Sequence, residues 1–293
     1  MIKTNDFAVF ILTHGRPNNI VTLKTLRYQG YTGPIYFIID DEDKTAEEYY
    51  NNFGREAVVM FNKKEYADKT DEGNNFDERR TITHARNACF DIARNLGIAY
   101  FMQLDDDYTE FKFRINSEKK YPSGRFLIRT LLDNVFYSLV SFYKSIPAKS
   151  IAMSQGGDWI GGSDSSMTNY PLKRKCMNSF ICSTERQFRF VGAMNEDVNT
   201  YTTLGSRGEL FFTVTLIALD QARTQSQSGG ITDMYLKYGT YAKAFTTVMM
   251  MPGSVKVSMM GNINKRLHHS IAWNNTVPKI ISEDLRKERR GVV

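Results

Sequence analysis

The sequence predicts an α/β protein: a mixed, mostly parallel sheet flanked by helices, in a single compact domain. Two observations carry this reading. Short apolar runs bounded by turn residues occur at Phe7–Leu12, Ile35–Ile39, Ala57–Phe61 and Ile98–Leu104, and read as buried strands. The segments between them place apolar residues at helical spacing, and strands alternating with helices imply parallel pairing through right-handed crossovers. At 293 residues and 42% hydrophobic, the chain is long enough to bury a substantial core.

The first strand ends in Thr13–Pro17, a turn, with Asn18 and Asn19 as cap chemistry before a helix carrying Ile20, Leu23 and Leu26. That helix stops at Gly30, and the second strand closes on Asp40 and Asp41. A short helix over residues 45–52 leads to the third strand. A polar loop, Asn62–Phe76, is longer than the usual connection. Residues 77–95 form an amphipathic helix with Ile82, Ala85, Cys89, Ile92 and Ala93 on one side. The fourth strand delivers three consecutive carboxylates, Asp105, Asp106 and Asp107. Residues 1–115 are a nucleotide-binding half in outline.

The second half, 116–278, is less regular. Phe126–Tyr143 has helical spacing; Ile151–Gln155, Asn178–Ser183 and Glu209–Ala218 read as strands; a helix is expected around Ile231–Phe245 and a strand around Val255–Ser258. Loops rich in Gly, Ser and polar residues are expected over residues 155–169 and 224–230. The charged segment 279–293 is expected to be a surface helix or disordered.

Composition excludes little but narrows the setting. The net charge of +6 is compatible with a polyanionic partner. Cys89, Cys176 and Cys182 are odd in number and match no zinc spacing, which points to free thiols and a cytoplasmic location. The N-terminus lacks the apolar core of a signal peptide, and no stretch approaches the length of a membrane span, so no membrane partner is expected.

In an open α/β sheet, ligands gather beyond the carboxyl ends of the strands. Thr13, His14 and Arg16, Asp40 and Asp41, and Asp105–Asp107 all fall at such ends. Asp105 and Asp107 are two residues apart and share a side in extended geometry. Two such carboxylates can hold one hard cation and leave positions for phosphate oxygens. Taken singly, each strand-end Asp equally reads as an acidic turn or helix cap.

Thr13–Pro17 after the first strand, Asp40–Asp41 after the second, Ala85–Asn87 on a helix and Leu104–Tyr108 together resemble the nucleotide-sugar glycosyltransferases of the GT-A (Rossmann-like) fold. Ile11–Asn18, Gly30–Tyr36 and Asp41–Ala46 resemble a phage branch, the TET/JBP-associated glycosyltransferases, which are thought to glycosylate hydroxymethylated pyrimidines in DNA. The resemblance covers residues 7–110 best. It implies a UDP-sugar donor, Mn²⁺ or Mg²⁺, and an acceptor half over residues 116–278. It nominates Thr13, His14, Arg16, Asp40, Asp41, Arg86, Asn87, Asp105 and Asp106 for the nucleotide sugar, and Asp105 and Asp107 for the metal. Asn195-Glu196-Asp197 resembles the acidic pair near the acceptor in inverting members; Asp197 is the first choice as general base and Glu196 the second. A C-terminal His, His268 or His269, is a further candidate metal ligand, although a surface His pair fits the same residues. Trp159, Lys173, Arg174 and Lys175 are candidates for contact with DNA. A glycan, lipid-linked or protein acceptor, a nucleotidyltransferase and a silent nucleotide-sugar or DNA-binding module are the other readings of this pattern.

Overall fold

The computed structural model describes residues 6–73, 79–114, 126–155, 172–173, 176–222, 231–260 and 265–276. Its centre is a 10-stranded sheet in the order β3-β2-β1-β4-β9-β7-β10-β5-β6, with β8 paired on β10. The first four neighbours are β3 (Val58–Phe61), β2 (Ile35–Asp40), β1 (Phe7–Leu12) and β4 (Tyr100–Asp105), all in parallel. Next come β9 (Ile181–Ser183), antiparallel to β4, then β7 (Ser150–Ser154) and β10 (Phe211–Gln221), which pair in parallel with each other. At the far edge β5 (Tyr108–Phe113) runs against β10, followed by β6 (Phe126–Leu127). β8 is Leu172–Lys173. The sheet is mixed, with most strands pointing one way, as the sequence predicts.

β1 shows why apolar runs rather than alternating ones mark these strands. Val9 and Ile11 face one core with Leu26, Met102, Leu104 and Phe136, while Ala8, Phe10 and Leu12 face a second with Phe90, Phe101 and Phe190. A strand buried on both faces has no polar side to alternate with. The helices covering these faces include α1 (Val21–Tyr28), α2 (Ala46–Phe53), α4 (Thr83–Asn95), α5 (Leu132–Ser145) and α6 (Glu196–Ser206). α7 (Ile231–Met250) bends at Gly239 and carries a separate hairpin, β11 (Val255–Met260) with β12 (Arg266–Ile271), followed by α8 (Trp273–Thr276).

Several expectations are corrected. The helical reading of Phe126–Tyr143 splits into β6 and α5, because Thr130 sits in the left-handed region (φ 51°) and breaks the run. The expected helix 77–95 begins only at Thr83. The loop from Asn62 contains a short helix, α3 (Lys63–Ala67), capped by the Asn62 side chain accepting from the Glu65 amide at 2.8 Å. β5, β12 and α8 have no counterpart in the sequence reading. The expected strand at Asn178–Ser183 keeps only its last three residues. Among the described residues, no helix is long and apolar enough to cross a membrane. All three cysteines are free and buried. The segment around Trp159, Arg174 and Lys175, the 224–230 loop and the 279–293 tail lie outside the described residues.

Candidate active site

The parallel strands β1, β2 and β4 deliver their carboxyl ends to one rim. Asp106 is its hub. One carboxylate oxygen accepts from the Thr13 hydroxyl at 2.8 Å and the other from Arg16 Nη1 at 2.9 Å. The Tyr49 hydroxyl reaches Thr13 at 2.9 Å and accepts from the Arg16 amide at 2.8 Å. Asp106 is therefore buried and fully engaged in holding the turn after β1 against the turn after β4. Burial pushes its carboxyl above the ordinary range even with Arg16 beside it.

Asp40 is gripped from both sides, by His14 Nδ1 at 2.7 Å and by Lys63 Nζ at 3.3 Å. Burial pushes Asp40 up, but these two partners outweigh it and hold the carboxyl below its usual value; the same bond raises His14. Asp41 accepts from the Lys63 amide at 2.9 Å. Two members of this rim are not singled out in the sequence reading. Lys63 is buried at the start of α3, and Asp43 accepts from the Gly15 amide at 2.7 Å and from the Thr45 amide at 2.8 Å. The Asp-x-Thr spacing of a side-chain turn was a usable signal for Asp43; an isolated Lys in a polar loop gave none for Lys63.

The second group centres on Arg86, which is 0% exposed. Nη2 donates to Asp105 Oδ1 and Nε donates to Glu196 Oε1, both at 2.9 Å. The guanidinium carbon lies 5.3 Å from the ring centre of Phe180 and 5.8 Å from that of Phe190. Its neighbour Asn87 turns elsewhere: the side chain accepts from the Phe190 amide at 2.8 Å and donates to the Phe190 carbonyl at 3.1 Å, fixing the segment that leads toward α6.

Asp197 follows Glu196 at the start of α6. Asn195 just before it has φ 55°, and its side chain donates to the Lys243 carbonyl at 2.7 Å and to Thr247 Oγ1 at 3.1 Å, tying α6 to α7. Asp197, in the first turn of α6, accepts from the Val198 amide at 2.8 Å. Burial, and then Glu196, push its carboxyl up to about 7, with Arg86 and Lys243 pulling the other way. The Lys243 side chain, also missed in the sequence, is pushed down by burial and back up by Asp197 and Glu196.

Asp105 is likewise raised to about 7, by burial first, then by Asp107, Glu196 and Asp106 against the pull of Arg86. Asp107, half-buried, accepts from the Gln221 amide group at 2.9 Å. The pair fits a divalent cation in donor type: hard carboxylate oxygens whose mutual repulsion such an ion would relieve. Among the described residues no group of three His, Cys, Asp or Glu side chains is placed to hold a metal ion, so the protein would supply one or two carboxylates and leave the other positions to water and phosphate. His268 and His269 are not gathered with Asp105 and Asp107. They stack on each other on β12 at 4.2 Å, near Lys243 and Arg266. Burial, then Arg266 and Lys243, hold His268 down; burial, then His268 and Lys243, hold His269 to about 4. Of the candidate DNA contacts, Lys173 lies in β8.

Acids gathered at the carboxyl ends of parallel strands lie where open α/β sheets bind their ligands. The family fixes which group moves: the profile of the TET-associated glycosyltransferases matches residues 7–230, and the chain belongs to that family. It is a glycosyltransferase. No curated protein sequence matches the chain. Among solved structures it is similar to glucosyl-3-phosphoglycerate synthase from Mycobacterium tuberculosis, solved with Mg²⁺ and uridine diphosphate, at 10% identity and a TM-score of 0.44 over 91% of this chain and 88% of that one. It is also similar to a mannosyltransferase from Pyrobaculum calidifontis, solved with GDP-mannose and Mn²⁺, at 10% identity and a TM-score of 0.45 over 84% and 73%. Likenesses this distant add no weight to the assignment, which rests on the family match.

Proposed function

We propose that the enzyme moves a sugar from a nucleotide sugar, a UDP-sugar first, to the hydroxymethyl oxygen of a 5-hydroxymethylated pyrimidine in DNA, with 5-hydroxymethylcytosine the leading acceptor. The observation that carries the chemistry is Asp197, a buried carboxylate raised to about 7 at the start of α6. A general base works best when its pKa lies near the working pH. Asp197 takes the proton of the acceptor hydroxyl as that oxygen bonds the anomeric carbon and the bond to the nucleoside diphosphate breaks. Thr13, Arg16 and Asp40 frame the nucleotide end of the donor. Asp105 and Asp107 would hold Mn²⁺ or Mg²⁺, which when bound neutralises charge on the leaving diphosphate. In this reading residues 1–115 supply the donor side and 116–278 the acceptor side. The DNA acceptor is supported by the family and by the net charge of +6, and the setting is the cytoplasm of a phage-infected cell.

The test is incubation with Mn²⁺, a panel of UDP-sugars, and DNA containing hydroxymethylcytosine or plain cytosine, followed by nucleoside mass spectrometry. A hexose-sized gain confined to the hydroxymethyl DNA is expected. Metal-dependent UDP release without a modified nucleoside would reject the DNA acceptor and keep the transferase.

A further inference from the structure

We infer that Arg86 is a positioning residue, not a nucleotide contact: it bridges the donor-side acid Asp105 and the acceptor-side acid Glu196, and so fixes α6 and its base against the donor rim. This rests on the proposed roles of Asp105 and Asp197.

The geometry leaves Arg86 no other employment. Its side chain is 1% exposed, with Nη2 on Asp105 and Nε on Glu196. The remaining group, Nη1, is sealed from solvent and has no hydrogen-bond partner among the described residues. The guanidinium lies near Phe180 and Phe190, and Phe190 is itself held by Asn87. The Arg86 carbonyl accepts from Gln103 Nε2 at 3.1 Å, anchoring the backbone of α4 to β4. An arginine so enclosed presents no edge to a diphosphate or ribose. It presents two edges to two carboxylates that are 91 residues apart in sequence (196 − 105).

Two consequences follow from this bridge. The carboxylate of Glu196 is committed to Arg86, which leaves Asp197 as the member of the pair free to take a proton. The two substrates' sites also become mechanically one, since a shift of α6 away from β4 must break a charged hydrogen bond in a buried setting, where such bonds are strongest. A misplacement of about 1 Å in a transferase can cost roughly 10²-fold in rate.

Arg86→Lys keeps the charge but offers one ammonium where the structure uses two separate edges of a planar fork. The expected result is kcat lowered by about 10²-fold, with the Kd for UDP and the KM for the UDP-sugar within about twofold of wild type. Glu196→Gln, which leaves Arg86 its bond to Asp105, is the second variant, in case Arg86→Lys does not fold. It should lower kcat by about tenfold while leaving UDP affinity unchanged, and the double variant should lose no more than Arg86→Lys alone, the non-additivity of a shared contact. A tenfold weaker Kd for UDP with kcat retained would mean that Arg86 serves donor binding and not the placement of α6, and would overturn the inference. Full additivity, or wild-type kcat in either variant, would overturn it as well. Loss of transfer and UDP release in the wild-type enzyme itself would sink the underlying reading of the site together with the inference. Wild-type activity with unaffected variants would sink the inference alone.

Discussion

Asp197 illustrates how one buried carboxyl links catalysis to stability. Its pKa of about 7 lies above the unfolded value of 3.8, with Glu196, Arg86 and Lys243 the charged groups around it. Proton acceptance requires the ionised form, so kcat should fall as pH drops through about 7, and a pH–rate profile without that acidic limb would remove Asp197 as base. The stability effect has the opposite sign. The folded state keeps a proton that the unfolded chain releases, so the contribution of Asp197 is most favourable below about pH 4 and is lost as pH rises through about 7. Asp197→Asn should therefore abolish transfer yet stabilise the fold by about 2–4 kcal/mol at pH 8, with no gain at pH 4; the amide oxygen can still accept from the Val198 amide. Denaturant melts at the two pH values measure this. At this scale the sequence was informative where chemistry is clustered. The Asp105–Asp107 run and the Glu196–Asp197 pair stand out against apolar neighbours. Lys63, Lys243 and the enclosure of Arg86 do not, because the meaning of a cation depends on burial by residues distant in the chain.

At the scale of elements, the stitch between α1 and β5 shows what local pattern misses. Gln29 closes α1 and is buried; its Nε2 donates to the carbonyls of Phe111 and Ile128 at 2.7 and 2.6 Å, while its Oε1 accepts from the Phe111 amide at 2.7 Å. Gln29→Leu would take this partner from the buried Phe111 amide and Ile128 carbonyl, while the Phe111 carbonyl keeps the Ile128 amide at 3.2 Å, and a loss of about 3 kcal/mol is expected from the cost of such groups, measurable as a lower denaturant midpoint. An unchanged midpoint would mean that water replaces the side chain. β1, β2 and β4 were legible because being buried on both faces writes a continuous apolar run. β5 was not: Tyr108–Phe113 mixes Thr, Glu and Lys with aromatics, and it is a strand because β10 pairs with it. The division of Phe126–Tyr143 into β6 and α5 likewise depends on Thr130, whose positive φ no propensity announces.

At the scale of the whole molecule, strands from both halves of the chain share one sheet. Residues 1–115 read as a nucleotide-binding half, yet β4 is flanked by β9, and β5 lies between β10 and β6, away from the strands that precede it. A fragment ending at residue 115 would expose the edge of β4 and leave β5 without β10. It should show no cooperative thermal transition by circular dichroism; a sharp transition would establish an autonomous half. The strand order itself lay beyond the sequence reading, since alternation of strands and helices fixes neighbours early in the chain but not the return of later strands into the gap between β4 and β5.

That interleaving has a consequence during synthesis. When the first four parallel strands have left the ribosome, the strand that covers β4 is still about eighty residues from completion, a delay of roughly 4–16 s at about 5–20 residues per second. Throughout that interval the nascent chain carries an open, apolar sheet edge of the kind that recruits other strands. Chaperone occupancy should therefore be concentrated between the emergence of β4 and that of β9, and lower growth temperature should raise the soluble yield more than any change at the active site.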